Sequence, residues 1–387
     1  MKKVLIIMTS MFFLATMACK KENNTTVVDN IETEIPNRKI QLAILLDTSS
    51  SMDGLIEQAK NQLWKIVNQL AKAKCGPEGD PEIELALYQY GNDDLSLFSG
   101  YIEQVSGFTT ELDEISEKLF GLTTNGGSEY CGAVIKSSLM DLNWSDSPLD
   151  LKLIFIAGNE SFDQGNISYK TICKQANQKS ISVNTIFCGN YQEGINSLWS
   201  DGAQIGNGKY LNIDQDATIV HIASPYDDEI QRLNSQLNET YIPYGKMGKS
   251  KKEKQLKADA DADSYGQANA VKRSISKSTK VYKNKSWDLV DAAEEEDFEI
   301  EAIDSEALPE EMQIMDTEEK KAYIVEKQEE REKIKADIKK LSTKRSKYVA
   351  AERQKSVNDS TQQLDNAIIE AIVVQAKGKS FTFEEEE

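Results

Sequence analysis

Three residues with hard oxygen atoms stand at alternate positions near the start of the chain. They are Asp47, Ser49 and Ser51, within the segment Asp-Thr-Ser-Ser-Ser. Carboxylate and hydroxyl oxygens of this kind suit Mg²⁺ or Mn²⁺, with Ca²⁺ as the alternative. The pattern therefore predicts part of a site for a divalent cation. The competing interpretation is a polar turn that caps the following helix.

Such a site needs an element that ends at Asp47 and holds it in place. Residues 40 to 46 form a nearly continuous apolar run, which is typical of a strand buried on both faces of a parallel sheet. Apolar residues resume at helical spacing from Leu55. Open α/β sheets bind their ligands beyond the carboxyl ends of the strands. This strand would therefore place Asp47 at a binding crevice.

The strand, the Asp-x-Ser-x-Ser loop and the helix together resemble the first loop of a von Willebrand factor type A domain. In that family this loop begins the metal-ion-dependent adhesion site, which uses three loops at the carboxyl edge of the sheet. The resemblance covers Arg38 to about Ser224, where apolar strands alternate with helices. The predicted fold is α/β, a doubly wound and mostly parallel sheet with flanking helices.

The resemblance also implies ligands on two later loops. The second loop usually supplies a hydroxyl shortly before a helix, and Ser128 falls in that place, with Thr124 as a substitute. The third loop usually supplies an Asp directly after its strand, but Gly158 stands there in this chain. Glu160, or else Asn159, is expected to reach inward instead. The predicted metal ligands are Asp47, Ser49, Ser51, Ser128 and Glu160.

The chemistry of such a site indicates binding to a partner. An ion with few direct carboxylates stays electron-poor, so the resemblance implies a protein partner that presents a carboxylate to it. No lysine, cysteine or histidine is evidently placed as a base or nucleophile, and His221 is the only histidine. An enzyme is therefore not predicted. A metal-independent structural or assembly scaffold of the envelope is the alternative, followed by a metal-dependent hydrolase.

Charge and composition narrow the classes of partner. The 387 residues include 39% hydrophobic residues, enough for one substantial core and additional helices. The formal net charge is −19. Binding to nucleic acid requires clustered Lys and Arg that neutralise phosphates, so this charge argues against it.

The first residues have the features of a targeting segment. Two lysines precede an apolar stretch that ends at Ala18 and is too short to span a membrane comfortably. Cys19 follows a small residue, as in bacterial lipoproteins, so residues 1–18 are predicted to be the signal peptide and Cys19 the site of lipidation. Residues 19–37 would form a tether. The alternative is an ordinary signal peptide cleaved nearby.

These features predict a protein of the bacterial cell envelope, with the outer membrane as the expected location and the side it faces left open. The membrane would be contacted only through the lipid. Such a compartment permits disulfides among the other four cysteines, with the Cys131–Cys188 pairing favoured. The possible disulfide partners are Cys75, Cys131, Cys173 and Cys188.

The second half of the chain is predicted to lie outside the type A domain, which spans residues 38–224. Residues 225–245 read as an amphipathic helical extension and residues 246–285 as a solvated basic linker that trypsin would cut first. Three aspartates in this linker lack the Gly and Glu of a calcium loop. Residues 286–387 are acidic and helical, with a long charged helix that shows weak coiled-coil spacing.

Overall fold

The computed structural model describes residues 38–53, 56, 58, 66–75, 79–213, 222–264, 266–295, 297–353 and 360–383. The predicted signal peptide, Cys19 and the tether lie outside the described residues, as does His221. None of the described helices is both long enough and apolar enough to cross a membrane.

A six-stranded sheet forms the centre of the protein, in the order β4-β3-β1-β5-β6-β7. All neighbouring strands are parallel except β3 and β4, which are antiparallel. This is a doubly wound order, in which the direction of winding reverses at β1. The predicted fold class is confirmed. The strands are β1 Lys39–Asp47, β2 Ala73–Lys74, β3 Glu82–Tyr90, β4 Ile102–Thr109, β5 Leu151–Gly158, β6 Ile181–Cys188, β7 Tyr210–Ile213 and β8 Thr382–Phe383.

Helices cover both faces of this sheet, and residues 66–70 are also helical. Short 3₁₀ turns lie at Ser50–Met52 and Leu97–Ser99. The described α-helices are α1 Leu112–Phe120, α2 Cys131–Asp141, α3 Tyr169–Gln178, α4 Tyr191–Asn196, α5 Trp199–Ile205, α6 Asp227–Glu239, α7 Gly245–Ser264, α8 Gln267–Lys277, α9 Leu289–Ala292, α10 Glu310–Gln313, α11 Thr317–Arg353 and α12 Ser360–Lys377.

The central strands are apolar throughout because both of their faces are covered. Every residue of β5 is buried, as is every residue of β1 after Lys39. Alternate side chains of β1 enter two different cores: Leu42 and Ile44 pack on one face, and Ala43 and Leu45 on the other. The sheet therefore fixes the position of Asp47, the last residue of β1.

Residues 246–285 differ from the predicted solvated linker, because most of them form the packed helices α7 and α8. Arg273 is 1% exposed and Lys277 is fully buried. Asp259 lies 2.6 Å from Arg273 Nε and 2.7 Å from Lys277 Nζ. A buried charge is tolerated when an opposite charge pairs with it, so this ion cluster allows a basic segment to enter the interior.

The C-terminal region also packs on the sheet domain. Ile334 and Ile338 of α11 belong to the same apolar core as β1, so the stripe with coiled-coil spacing faces the protein's own interior. Arg331 of α11 is buried and binds Asp288 and Asp291 at 2.7 Å each. Residues Asn37–Glu387 accordingly form one compact unit.

The predicted disulfide is wrong, because none of the four buried residues Cys75, Cys131, Cys173 and Cys188 forms a disulfide. Cys131 belongs to the core on one face of the sheet, and Cys188 belongs to the core on the other. The sheet therefore separates the favoured pair. Burial raises the pKa of both thiols well above the usual range.

Candidate metal-binding site

The first loop of the site begins at Asp47, which is completely buried. Its Oδ1 accepts the Ser49 backbone N–H at 2.7 Å, while its Oδ2 is buried without a hydrogen-bond partner. The Oγ atoms of Ser49 and Ser51 are 2.9 Å apart. The three residues predicted from the Asp-x-Ser-x-Ser pattern therefore lie together beyond the end of β1.

The second loop, residues 121–130, is tied to the first through the backbone. Asn125 N–H donates to the Thr48 carbonyl at 3.1 Å, and Ser50 N–H donates to the Gly126 carbonyl at 2.9 Å. The Thr124 hydroxyl donates to Asp53 at 2.8 Å. Ser128, the predicted ligand on this loop, is partly buried.

Glu129, next to Ser128, is the residue of the second loop that reaches Asp47. It is 5% exposed, and its Oε1 and the Cβ of Ser49 would both lie 2.7 Å from a Cβ atom placed on Gly127. A Cβ atom placed on Gly91 would lie 2.8 Å from both Asp47 Oδ1 and Glu129 Cγ. The two carboxylates thus flank the same glycine. The family pattern draws attention to the hydroxyl at 128, so sequence reasoning missed this residue.

The third loop contacts the first through Asn159. The Ser51 hydroxyl donates to Asn159 Oδ1 at 3.0 Å, which leaves lone pairs on Ser51 Oγ for another partner. The side chain of Glu160 is exposed, and its carbonyl accepts the Trp199 indole N–H at 2.7 Å. Of the two residues expected to reach inward here, Asn159 is therefore the one that bonds to the first loop.

Burial and electrostatic repulsion together raise the pKa values of Asp47 and Glu129. Burial is the main cause that raises the pKa of Asp47 to about 7, and the charges of Glu129 and Glu160 add to it. Burial also raises the pKa of Glu129 to about 7, followed by the charge of Glu160. A cation among these oxygens would relieve both effects.

The residues present fit a hard divalent cation. Asp47 offers an unpartnered carboxylate oxygen, and Ser49 and Ser51 offer hydroxyl oxygens beside it. In the described part of the chain, no three His, Cys, Asp or Glu side chains form a ready metal cluster. The hydroxyls are therefore needed to complete any set of protein ligands at this edge.

A loop with exposed apolar side chains stands at the same edge of the sheet. Leu97 and Phe98, between β3 and β4, are 66% and 102% exposed. The loop is bound to the second loop of the site: Asp93 N–H donates to the Asn125 carbonyl at 3.1 Å, and Asn125 donates to Asp94 at 2.9 Å. The apolar tip and the oxygen cluster thus belong to one set of connected loops.

Comparison with known proteins gave matches only among solved structures. No family model matches the chain, and no curated protein does. Proximal thread matrix protein 1 from the mussel byssus has 16% identity and a TM-score of 0.34, covering 46% of this chain and 42% of that one. This chain therefore aligns with less than half of the mussel protein. Another structure of that protein is described as having a zinc-occupied MIDAS motif.

Two further structures align over most of their own length. The SpRpn10 VWA domain has 12% identity and a TM-score of 0.35, covering 47% of this chain and 91% of that one. BatB from Bacteroides thetaiotaomicron has 14% identity and a TM-score of 0.34, covering 57% and 99%. The fold itself is established by the strand order and the position of the Asp47 loop.

Proposed function

We propose that this chain is a cell-envelope lipoprotein whose type A domain binds a protein partner through a divalent cation. The observation that carries the proposal is the buried Asp47 Oδ2, which has no hydrogen-bond partner and belongs to the loop whose Ser49 and Ser51 hydroxyl oxygens lie 2.9 Å apart. An unpaired buried carboxylate oxygen is costly unless a cation or a proton compensates it. A cation at this point explains why the oxygen is retained there.

Asp47, Ser49 and Ser51 would hold the ion. The proposed ion is Mg²⁺ or Mn²⁺, with Ca²⁺ as the alternative. The bound ion supplies a Lewis acid that accepts an oxygen ligand from outside the protein. The first-loop hydroxyls contribute no charge, so they leave the ion able to attract a partner carboxylate. Ser128, on the second loop, would add a further hydroxyl, whereas Glu160 of the third loop has an exposed side chain and would approach the ion only from the solvent side.

The exposed pair Leu97 and Phe98 supports a protein as the partner. A large aromatic side chain held in full solvent contact beside a polar site is typical of an interaction surface. Ser96 accepts the Phe98 N–H at 3.2 Å, and Tyr101 N–H returns to the Ser96 carbonyl at 3.0 Å. These bonds fix the backbone of the tip, so a partner would meet a pre-ordered surface.

Calorimetric titration of the purified protein with Mg²⁺ and Mn²⁺ tests the proposal. We expect binding by the wild type and its loss in Asp47→Ala, because this change removes the unpartnered carboxylate. Asp141→Ala is the matched control, since Asp141 is an exposed carboxylate at the end of α2. It should bind as the wild type does.

The contrary result is equally clear. If wild type and Asp47→Ala bind the ions equally poorly, the adhesion site is vestigial. The metal-independent scaffold then becomes the better account of the chain.

A further inference from the structure

The third loop lacks the acidic residue that its family pattern would provide, and the structure shows what occupies the space. This inference rests on the proposed function. We propose that Glu129 of the second loop supplies the second carboxylate of the cation site, and that the Tyr90 hydroxyl keeps a third-loop carboxylate out. The second negative charge of the site would thus lie on the second loop instead of the third.

Tyr90 fills the space in front of Gly158. It is the last residue of β3, pairs in register with Asp47, and is fully buried. Its hydroxyl crosses to β5 and donates to the Ala157 carbonyl at 2.9 Å. A Cβ atom on Gly158 would lie only 2.6 Å from this hydroxyl oxygen, its nearest neighbour, and 3.0 Å from Cη2 of the Trp199 ring. No side chain fits at position 158 while the hydroxyl is there.

The Cβ atom placed on Gly158 also shows where the unpartnered oxygen of Asp47 lies. The Cβ atom on Gly158 would lie 3.1 Å from Asp47 Oδ2, the buried oxygen without a hydrogen-bond partner. That oxygen therefore belongs to the side of Asp47 toward which a third-loop carboxylate would have pointed. The same unpartnered oxygen supports the proposed cation site.

Glu129 enters the site through a gap between two glycines. Gly91 has φ +78° and Gly127 has φ +144°, conformations that side chains rarely adopt. A Cβ on Gly127 would come within 2.7 Å of both Glu129 Oε1 and Ser49 Cβ. The Glu129 N–H donates to Gln164 Oε1 at 2.7 Å, which holds the residue at this position. The surrounding residues thus leave room for the carboxylate of Glu129 against the first loop.

The exchange between loops changes the ligand that each loop presents. The second loop brings a carboxylate where the family usually has a hydroxyl, and the third brings the neutral amide of Asn159, bonded to Ser51. Negative charge is then concentrated toward the β3 side of the sheet edge. This arrangement predicts that position 158 accepts an acid only after the tyrosine hydroxyl has been removed.

The test is a rescue experiment in the full chain, measured by calorimetric titration with Mn²⁺. Glu129→Gln, which preserves the shape of the side chain, should weaken binding at least tenfold. Adding Tyr90→Phe and Gly158→Asp together should recover most of that loss, because the closest contact at position 158, the tyrosine hydroxyl oxygen, is then removed. Thermal unfolding of each variant verifies that it is folded.

Tyr88→Phe is the matched control, since Tyr88 lies two residues earlier on β3 and bonds Gln104 instead. Combined with Glu129→Gln and Gly158→Asp, it should give no rescue. If Glu129→Gln binds Mn²⁺ as tightly as a binding-competent wild type, the inference is overturned and the proposed function survives. If the wild type itself binds no ion, both are overturned.

Discussion

Asp47 and Glu129 are held close together by the fold, although their charges repel each other. Both are buried, and a Cβ atom placed on Gly91 would lie 2.8 Å from Asp47 Oδ1 and 2.8 Å from Glu129 Cγ. A carboxyl group whose pKa is raised in the folded state binds its proton more tightly there than in the unfolded chain. Folding is therefore penalised as pH rises from the unfolded pKa, near 4, to the folded pKa.

We expect the metal-free protein to lose stability between pH 5 and pH 8. The pKa of Asp47 is raised to about 7, so its penalty reaches at most about 4 kcal/mol at the upper end. Carboxylates with lowered pKa values titrate below this window and do not oppose the trend. The measurement is the melting temperature at both pH values in chelator, with Asp47→Asn as the control.

The decrease in melting temperature from pH 5 to pH 8 should be smaller in Asp47→Asn than in the wild type. At pH 8, Mn²⁺ should restore the melting temperature of the wild type but not that of Asp47→Asn. Equal pH dependence of the two proteins would contradict this account of Asp47.

At the scale of elements, the site edge is a set of four loops joined by hydrogen bonds. The first loop is bonded to the second at Thr48 and Ser50, and the second to the β3–β4 loop at Asp93. The third reaches the first through Asn159. Displacement of one loop would disturb its neighbours, so a partner that grips the β3–β4 loop and the ion at once meets a single rigid edge.

Phe98→Ser should weaken binding of the partner at least tenfold and leave the affinity for Mn²⁺ unchanged, because the side chain is exposed and bonded to nothing in the site. Met140→Ser is a suitable control, since Met140 is also exposed. Surface plasmon resonance with the partner captured in Mn²⁺ would measure both variants. If Phe98→Ser binds the partner as tightly as the wild type does, the partner binds elsewhere on this edge of the sheet.

The sequence was sufficient to predict the elements that are buried along their whole length. The continuous apolar runs of β1 and β5 indicated central parallel strands, and Asp47 followed from the end of β1. It was insufficient where burial depends on pairing across the fold. Arg273 and Lys277 read as solvated, because nothing in the local pattern shows that Asp259 will meet them.

Local sequence patterns also do not reveal how much space is available for a side chain. The exclusion at Gly158 depends on Tyr90, which lies 68 positions earlier in the chain. The absence of a disulfide has the same kind of reason, since an even number of thiols does not reveal on which face of a sheet each will lie.

At the scale of the molecule, the C-terminal half is part of the same folded unit as the sheet. The long helix α11 contributes Ile334 and Ile338 to the core beneath β1, and α12 contributes Ile368 and Ile372. Asn184 of β6 exchanges hydrogen bonds with Gln375 of α12 at 2.8 and 3.2 Å. Removal of this half would expose apolar surface on one face of the sheet.

Trypsin should therefore spare residues 246–285 in the native protein, contrary to what their composition indicates. Asp259→Asn should make this segment susceptible, because it leaves Arg273 and Lys277 buried without their shared carboxylate, a loss of about 3–5 kcal/mol. Asp261→Asn is the control, since the Asp261 carboxylate pairs with the exposed Lys257. Mass spectrometry of the fragments would locate the first cuts. Early cleavage of the native protein there would show that α7 and α8 open readily.

Cys19→Ser should abolish incorporation of a labelled fatty acid and release the protein from the membrane fraction, because the acyl chains are the only proposed attachment. Cys75→Ser is the matched control, since Cys75 is buried and free. Retention of the Cys19→Ser protein in the membrane fraction would refute the lipid anchor.

The arrangement of β1 has a mechanical consequence. The described residues begin at Arg38, directly before β1, and the site lies at the other end of the same strand. An anchor ahead of residue 38 and a partner held at Asp47 would pull this strand along its length. The load would be shared by the ladders to β3 and β5, which run beside β1 on both sides. Bonds perpendicular to a force yield together in shear instead of one by one, so the central strand is placed where a tensile load is best resisted.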